Sequence, residues 1–276
     1  MRGQLSTAGV SYARFVYALP FAGLYLWLVQ AWGGWSLPDL SPQFLLYCLL
    51  GGLAQILFTI LLVHMFALRN FAVGAAFSKT ETVQVALLGY VLLGDRLEAG
   101  ALLAILLSAL GVMALSMAHS RLSVSALLQG LAEPSTRIGL ASGFFLGVCV
   151  VCFRGATQAL EHESAVMRAA CTLLLTLLIQ TVLMGLWLHR TEPRTLPALW
   201  VHWRWAGAVG VASLLASVAW FTAFALQNAA LVRAVGQIEL LFTFLASVFY
   251  FRERSTGLEI GGMVLVMAGI LLIVLL

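Results

Sequence analysis

The stretch FAVGAAFSKTETVQVALLGYVLL, Phe71 to Leu93, decides the fold of this chain. A helix rises about 1.5 Å per residue, so a helix of this length can cross the hydrocarbon core of a bilayer. Yet polar residues fill its middle: Ser78, Lys79, Thr80, Glu81, Thr82 and Gln84. Successive side chains turn by about 100°, so these six point around the whole helix, and a charge at the bilayer centre costs about 2.5–3.5 kcal/mol on insertion scales. The stretch therefore predicts a helix that other helices enclose, or one that lies beside a water-filled cavity.

The composition is that of a polytopic helical membrane protein. The chain has 276 residues, of which 62% are hydrophobic and 9% charged, and its mean hydropathy is +1.01. Soluble domains carry about 25% charged residues. The net charge of +4 reflects orientation in the membrane, and we expect no nucleic-acid partner. Cys149 and Cys152 form a C-x-x-C pattern inside an apolar helix, so we interpret them as buried thiols. No metal or cofactor is expected.

Apolar runs predict an all-α bundle with nine membrane spans. Three tryptophans mark the end of the first predicted span (Trp27, Trp32 and Trp35) and three mark the start of the seventh (Trp200, Trp203 and Trp205), as is typical of membrane interfaces. The polar segment between the fourth and fifth spans predicts an interfacial linker. The predicted spans are 11–31, 43–67, 71–93, 98–118, 138–157, 165–188, 205–226, 228–251 and 257–276.

The two halves of the chain resemble each other. The segment FALRN at Phe66–Asn70 recurs as FALQN at Phe224–Asn228, an offset of 158 residues (224 − 66). The same offset pairs Glu81 with Glu239 and Lys79 with Gln237. With a small shift, Arg14 pairs with Arg168.

The repeat also predicts the number of helices. Arg154 and Gly155 end the predicted span 138–157, whereas the equivalent Arg2 and Gly3 stand at the start of the chain. We therefore expect units of five helices, the first unit lacking its first helix. An odd number of helices places successive units in opposite orientations. The predicted organisation is a first repeat over 1–120, a linker over 121–137 and a second repeat over 138–276.

Two stretches carry a family resemblance. Asn70–Ser116 contains a polar helix centre and the turn Gly94-Asp95-Arg96-Leu97, and Asn228–Leu276 repeats this plan with Arg252-Glu253-Arg254. In these features the chain resembles the ten-helix, EamA-type branch of the drug/metabolite transporter superfamily. The resemblance implies a transporter of metabolites, amino acids or drugs. The first family helix is absent, either because Met1 is internal to a longer reading frame, which we favour, or because the protein has nine helices.

Glu81 and Glu239 are the main candidates for ion binding. Burial among apolar groups disfavours the charged form of a carboxyl group, so such a group can exchange protons near neutral pH. A structural ion pair or a hydrogen bond to a neighbouring helix is the alternative for each. Lys79 could bind a substrate carboxylate or neutralise a carboxylate from another helix.

The remaining candidates divide into two groups. We predict a substrate or ion site formed by Ser78, Lys79, Glu81, Thr82, Gln84, Arg233, Gln237 and Glu239, and gating or steering by Arg14, Arg168 and Gln55. Serine and threonine hydroxyls can instead bond helix carbonyls, and arginines can instead extend to the membrane interface.

The leading functional hypothesis is a secondary transporter of small organic solutes that works by alternating access. The chain contains no nucleotide-binding motif, so ATP is not its direct energy source. We expect an exporter in a bacterial inner membrane, with lipid, solute and, through its glutamates, protons as partners. The alternatives are an intramembrane enzyme acting on lipid-linked substrates and a truncated remnant that does not transport. Catalytic motifs such as H-E-x-x-H and G-x-S-x-G are absent, so we favour the non-enzyme hypothesis.

The inverted plan predicts the labelling of two engineered cysteines. One cysteine placed in the 94–98 turn and another in the 252–256 turn should react from opposite faces of the membrane, because successive units are inverted. An impermeant maleimide applied to oriented vesicles measures this. Reaction of both positions from the same face would exclude the inverted arrangement.

Overall fold

A computed structural model describes residues 7–66, 68, 71–119, 133–193, 195–201, 203–250, 252 and 255–276. Within these residues the chain forms twelve α-helices. They are α1 Thr7–Gly33, α2 Pro42–Phe66, α3 Phe71–Ser78, α4 Glu81–Leu93, α5 Ala99–His119, α6 Pro134–Gln158, α7 Ala165–Thr191, α8 Thr195–Val201, α9 Trp203–Leu226, α10 Ala229–Gly236, α11 Ile238–Leu245 and α12 Gly257–Leu275; a π-helical turn, Ala246–Tyr250, follows α11.

The all-α membrane fold is confirmed. In the described part of the chain, eight helical segments are long and apolar enough to cross a membrane, and each coincides with a predicted span. The remaining predicted span, 71–93, is not one continuous helix: it is α3 and α4, separated by a turn at Lys79 and Thr80. Most of the predicted linker, residues 121–132, lies outside the described residues.

Local sequence fixes several helix ends. The side chains of Ser164 and Asn228 accept backbone N–H bonds at the first turns of α7 and α10. Thr256 and Glu259 form a reciprocal capping box at the start of α12. Gly94 follows α4 with a φ of 69°, the left-handed conformation that glycine adopts without steric cost.

The helix bounds recur at the offset of 158 residues. The eight-residue helix α3 spans Phe71–Ser78, and α10 spans Ala229–Gly236, 158 residues later at both ends. Helices α1 and α7 match in the same way, Thr7–Gly33 against Ala165–Thr191. On this register Thr172 is the counterpart of Arg14, one helical turn beyond Arg168.

The first compact unit comprises residues 1–60 and 149–227. Helix α1 packs against α7 and α9, and α9 also packs against α7. One of its hydrophobic clusters consists of Phe44, Cys48, Ala156, Leu160, Met167 and Cys171. All four cysteines of the chain are buried thiols, as predicted for Cys149 and Cys152.

The second compact unit comprises residues 61–148 and 228–276. Helices α5 and α12 form its most extensive contact, and α10 packs against α4 and α5. Each unit thus combines helices from the two sequence halves.

Glycine allows α5 and α12 to approach closely. A Cβ atom on Gly111 would lie 2.6 Å from the carbonyl oxygen of Gly262 and 2.7 Å from the backbone nitrogen of Val266. These are backbone atoms, which cannot move aside as a flexible side chain can. Such contacts between small residues are a common means of helix packing in membranes.

This packing predicts that two glycine substitutions differ in their effect on the stability of the protein. Gly111→Ala should destabilise the protein by about 1–3 kcal/mol, because the added methyl overpacks the interface. Gly261→Ala is the matched control, since nothing lies within 4 Å of a Cβ there, and it should be neutral or slightly stabilising. Thermal unfolding in detergent measures both. Equal unfolding midpoints for the two variants would contradict the packing argument.

Candidate functional site

The polar residues between positions 78 and 84 also interrupt the helix that was predicted over residues 71–93. The backbone N–H of Lys79 donates to Ala76 O and that of Thr80 to Phe77 O, both at 3.2 Å. These bonds span three residues instead of four, so the chain tightens into a 3₁₀-type turn. The second half has an equivalent break, where Gln237 N donates to Ala234 O between α10 and α11.

Side-chain hydroxyls satisfy carbonyls at the first break. Ser78 Oγ donates to Ala75 O at 2.8 Å, and Thr80 Oγ1 donates to Phe77 O at 2.7 Å. Gln84 Nε2 donates in turn to Thr80 Oγ1 at 2.8 Å. Both hydroxyls thus bond helix carbonyls, and solute or ion binding by Ser78 stays a prediction. The turn is held by its own side chains.

Three glycines on α6 allow it to pack against the broken helix. A Cβ on Gly139 would lie 2.1 Å from Gly74 O, and a Cβ on Gly143 would lie 3.0 Å from Ser78 O. A Cβ on Gly147, one turn further along α6, would lie 2.9 Å from the side chain of Leu88. The G-x-x-x-G-x-x-x-G spacing was a recognisable sequence signal that the sequence analysis missed.

A buried ion pair joins two of the predicted site residues. The guanidinium of Arg233 on α10 donates to Glu81 Oε1, and the Arg233 and Glu81 side chains are 17% and 8% exposed. Glu81 lies in the first turn of α4, where the helix dipole favours a negative charge. Gln237, 3% exposed, donates to Arg233 O at 3.4 Å. The Gln237 Oε1 atom is buried and has no hydrogen-bond partner within the described residues.

The other predicted residues of this unit have unlike environments. Thr82 is buried, whereas Lys79 is half-buried at the turn. No described residue pairs with the ammonium group of Lys79 by a hydrogen bond or an ion pair. Glu239 is exposed on α11, so it and Glu81 differ although they occupy equivalent positions.

Arg14 and Gln55, both predicted to gate or steer, line one small cavity in the first unit. Arg14 Nε donates to Ser213 Oγ at 3.2 Å. Gln180, which the sequence analysis did not select, is buried and donates its amide to Gln55 Oε1.

Arg168 bonds backbone carbonyls. Its guanidinium donates to Thr157 O at 3.4 Å and to Ala225 O at 3.5 Å. Arg154 acts similarly, donating to Phe224 O at 3.3 Å and to Gln227 O. The two arginines therefore satisfy carbonyls at the C-terminal end of α9, where helical partners are lacking. Gating by Arg168 stays a prediction.

Comparison with known proteins agrees with this architecture. A sequence profile described as the EamA-like transporter family matches residues 137–275, half of the chain. The chain belongs to the EamA-like transporter family. The match runs from the first turn of α6 through α12 and includes Arg233 and the second helix break.

A solved crystal structure, described only as that of a protein, is similar in fold to this EamA-like chain. The TM-score is 0.69 at 16% sequence identity, and the alignment covers 99% of this chain and 90% of the other. At this identity the likeness concerns the fold alone. None of the curated proteins matches the sequence.

The ion pair predicts energetic coupling between Glu81 and Arg233. Removing either charge alone, as in Glu81→Gln or Arg233→Gln, should cost about 3 kcal/mol of stability because it leaves the partner buried and uncompensated. The double variant should cost clearly less than the sum of the two. Unfolding midpoints of the four proteins in detergent give the coupling energy, and additive effects would show that the two charges do not interact.

Proposed function

We propose that this protein is a secondary carrier of small organic solutes that have a carboxylate, such as amino acids or other metabolites, and that Lys79 binds this group. The observation that supports this proposal is the arrangement of charged side chains around the first helix break. Family membership supports transport in general, whereas the solute class follows from these side chains.

The charges around this break do not balance. Lys79 and Arg233 are cations and Glu81 is an anion, and Glu81 already pairs with Arg233. One positive charge therefore lacks a counter-ion in the described part of this unit. A lone cation inside a membrane protein is costly, so a solute carboxylate at Lys79 would offset that cost.

Gln237 adds a second element of recognition. Its buried Oε1 has no donor among the described residues, and an unmet buried acceptor costs free energy. A solute that reaches this oxygen with an N–H or O–H group would satisfy it. This combination favours zwitterionic or hydroxylated acids over simple hydrocarbons.

Movement of the solute would use the two sequence halves as inverted units. The recurrence of helix bounds and of the helix breaks at 158 residues supports this plan. Interrupted helices with binding groups at the break are common in secondary transporters. Export as the direction rests on the family resemblance.

Proton coupling would act through Glu81. Glu81 is buried, and its carboxylate accepts a hydrogen bond from Arg233. A transport step that exchanges the ion pair for a neutral carboxyl would tie proton movement to solute movement.

Removing the charge of Lys79 tests the proposal. A thermal-shift screen of amino acids, hydroxy acids and aromatic acids first identifies a solute that stabilises the purified protein. Lys79→Gln, which copies the uncharged counterpart Gln237, should weaken binding of that solute about tenfold or more, because a hydrogen bond to a charged group contributes about 1.5–3 kcal/mol. Lys79→Arg should keep most of the affinity.

Transport in proteoliposomes completes the test. Uptake of the same solute should fall in Lys79→Gln and stay unchanged in Arg190→Gln, the loss of an exposed arginine in the last turn of α7. In Glu81→Gln, uptake should no longer respond to a pH gradient. Full affinity and uptake in Lys79→Gln would exclude Lys79 from solute recognition.

A further inference from the structure

The small cavity of the first unit has a distinct chemical character. Its volume is about 20 Å³, and its apolar walls are Phe15, Leu173, Leu177 and Phe221. Its polar walls are Arg14, Gln55, Thr176, Gln180, Ser213 and Ser217. A water molecule needs about 10–15 Å³ of such space, so the enclosed part of the cavity accommodates one particle of a few atoms.

The polar groups of this cavity can present hydrogen-bond donors. Gln180 donates to Gln55 Oε1, which leaves the amide N–H₂ of Gln55 available. Ser213 accepts from Arg14 Nε, so its hydroxyl proton can point elsewhere. Arg14 also has two further guanidinium nitrogens, and it is exposed, which gives a ligand access to the cavity.

The first unit offers no carboxylate within its helices to balance Arg14. The acidic residues in the ranges 1–60 and 149–227 are Asp39, Glu161, Glu163 and Glu192. All four lie outside helices α1, α2, α6, α7, α8 and α9, in the connections or at a helix end. No described acidic residue forms an ion pair with Arg14.

We propose that this cavity is a binding site for a small monovalent anion of about the size of chloride. An anion would balance the charge of Arg14 and accept hydrogen bonds from Gln55 and Ser213, whereas a water molecule would leave that charge without a counter-ion. The apolar walls reduce the local dielectric and so strengthen the attraction. The site lies in the first unit and is independent of solute recognition at Lys79.

Exchange of the anion in the buffer tests this site. The full-length protein in detergent is unfolded thermally in sodium chloride and in sodium gluconate at equal ionic strength, gluconate being too large for the cavity. Chloride at several times its dissociation constant should raise the unfolding midpoint by about 2–4 °C relative to gluconate, because only the folded state binds it. Arg14→Gln should abolish this difference.

Two further variants separate the site from general salt effects. Ser213→Ala keeps the charge of Arg14 but removes the acceptor that orients it, so the chloride effect should decrease without vanishing. Arg190→Gln should retain the full effect. An identical midpoint in chloride and gluconate for the wild type, or an equal rise in Arg14→Gln, would overturn the proposal. A rise with acetate as large as that with chloride would overturn the assignment to a chloride-sized ion.

Discussion

The ion pair between Glu81 and Arg233 is the interaction on which the second unit depends. Both partners lie on interrupted helices, and both are largely buried. Removing two charges from water costs several kcal/mol per ion, which their mutual attraction offsets only with good geometry. The surrounding structure supplies that geometry. The hydroxyls of Ser78 and Thr80 donate to carbonyls at the turn, and the guanidinium of Arg233 donates to the carboxylate of Glu81.

Enclosure of the polar stretch follows from sequence, but its local conformation does not. Six polar side chains around one span require protein or a water-filled cavity beside them, whether or not the helix is continuous. Neither proline nor glycine, the residues that usually interrupt a helix, occurs at the break formed by Lys79 and Thr80. It depends on hydroxyls that bond carbonyls three residues earlier, and the same residues sit in unbroken helices elsewhere in proteins. The sequence pattern therefore did not distinguish an interrupted helix from a continuous one.

The sequence alone did not predict which distant residues pair with each other in the folded protein. Glu81 and Arg233 are 152 positions apart, and only tertiary packing brings them together. The two helix breaks, which were not predicted, lie 158 residues apart as the repeat requires, yet the repeat suggested similar roles for Glu81 and Glu239. One is buried and the other exposed, because burial depends on neighbours that the repeat does not duplicate. The three arginines selected from the sequence also differ in their environments, which the sequence did not predict. Arg14 lines a cavity, Arg168 bonds helix carbonyls and Arg233 forms an ion pair.

Lys79 has a chemical consequence beyond electrostatics. It is the sole lysine of the printed sequence, so its ε-amine is the one side-chain primary amine in these 276 residues. A reagent selective for amines that enters the second unit has one side chain to modify. The half-buried turn between α3 and α4 thus contains a single site for amine chemistry. A fluorophore or an isotope-labelled methyl group can be attached there without engineering a cysteine.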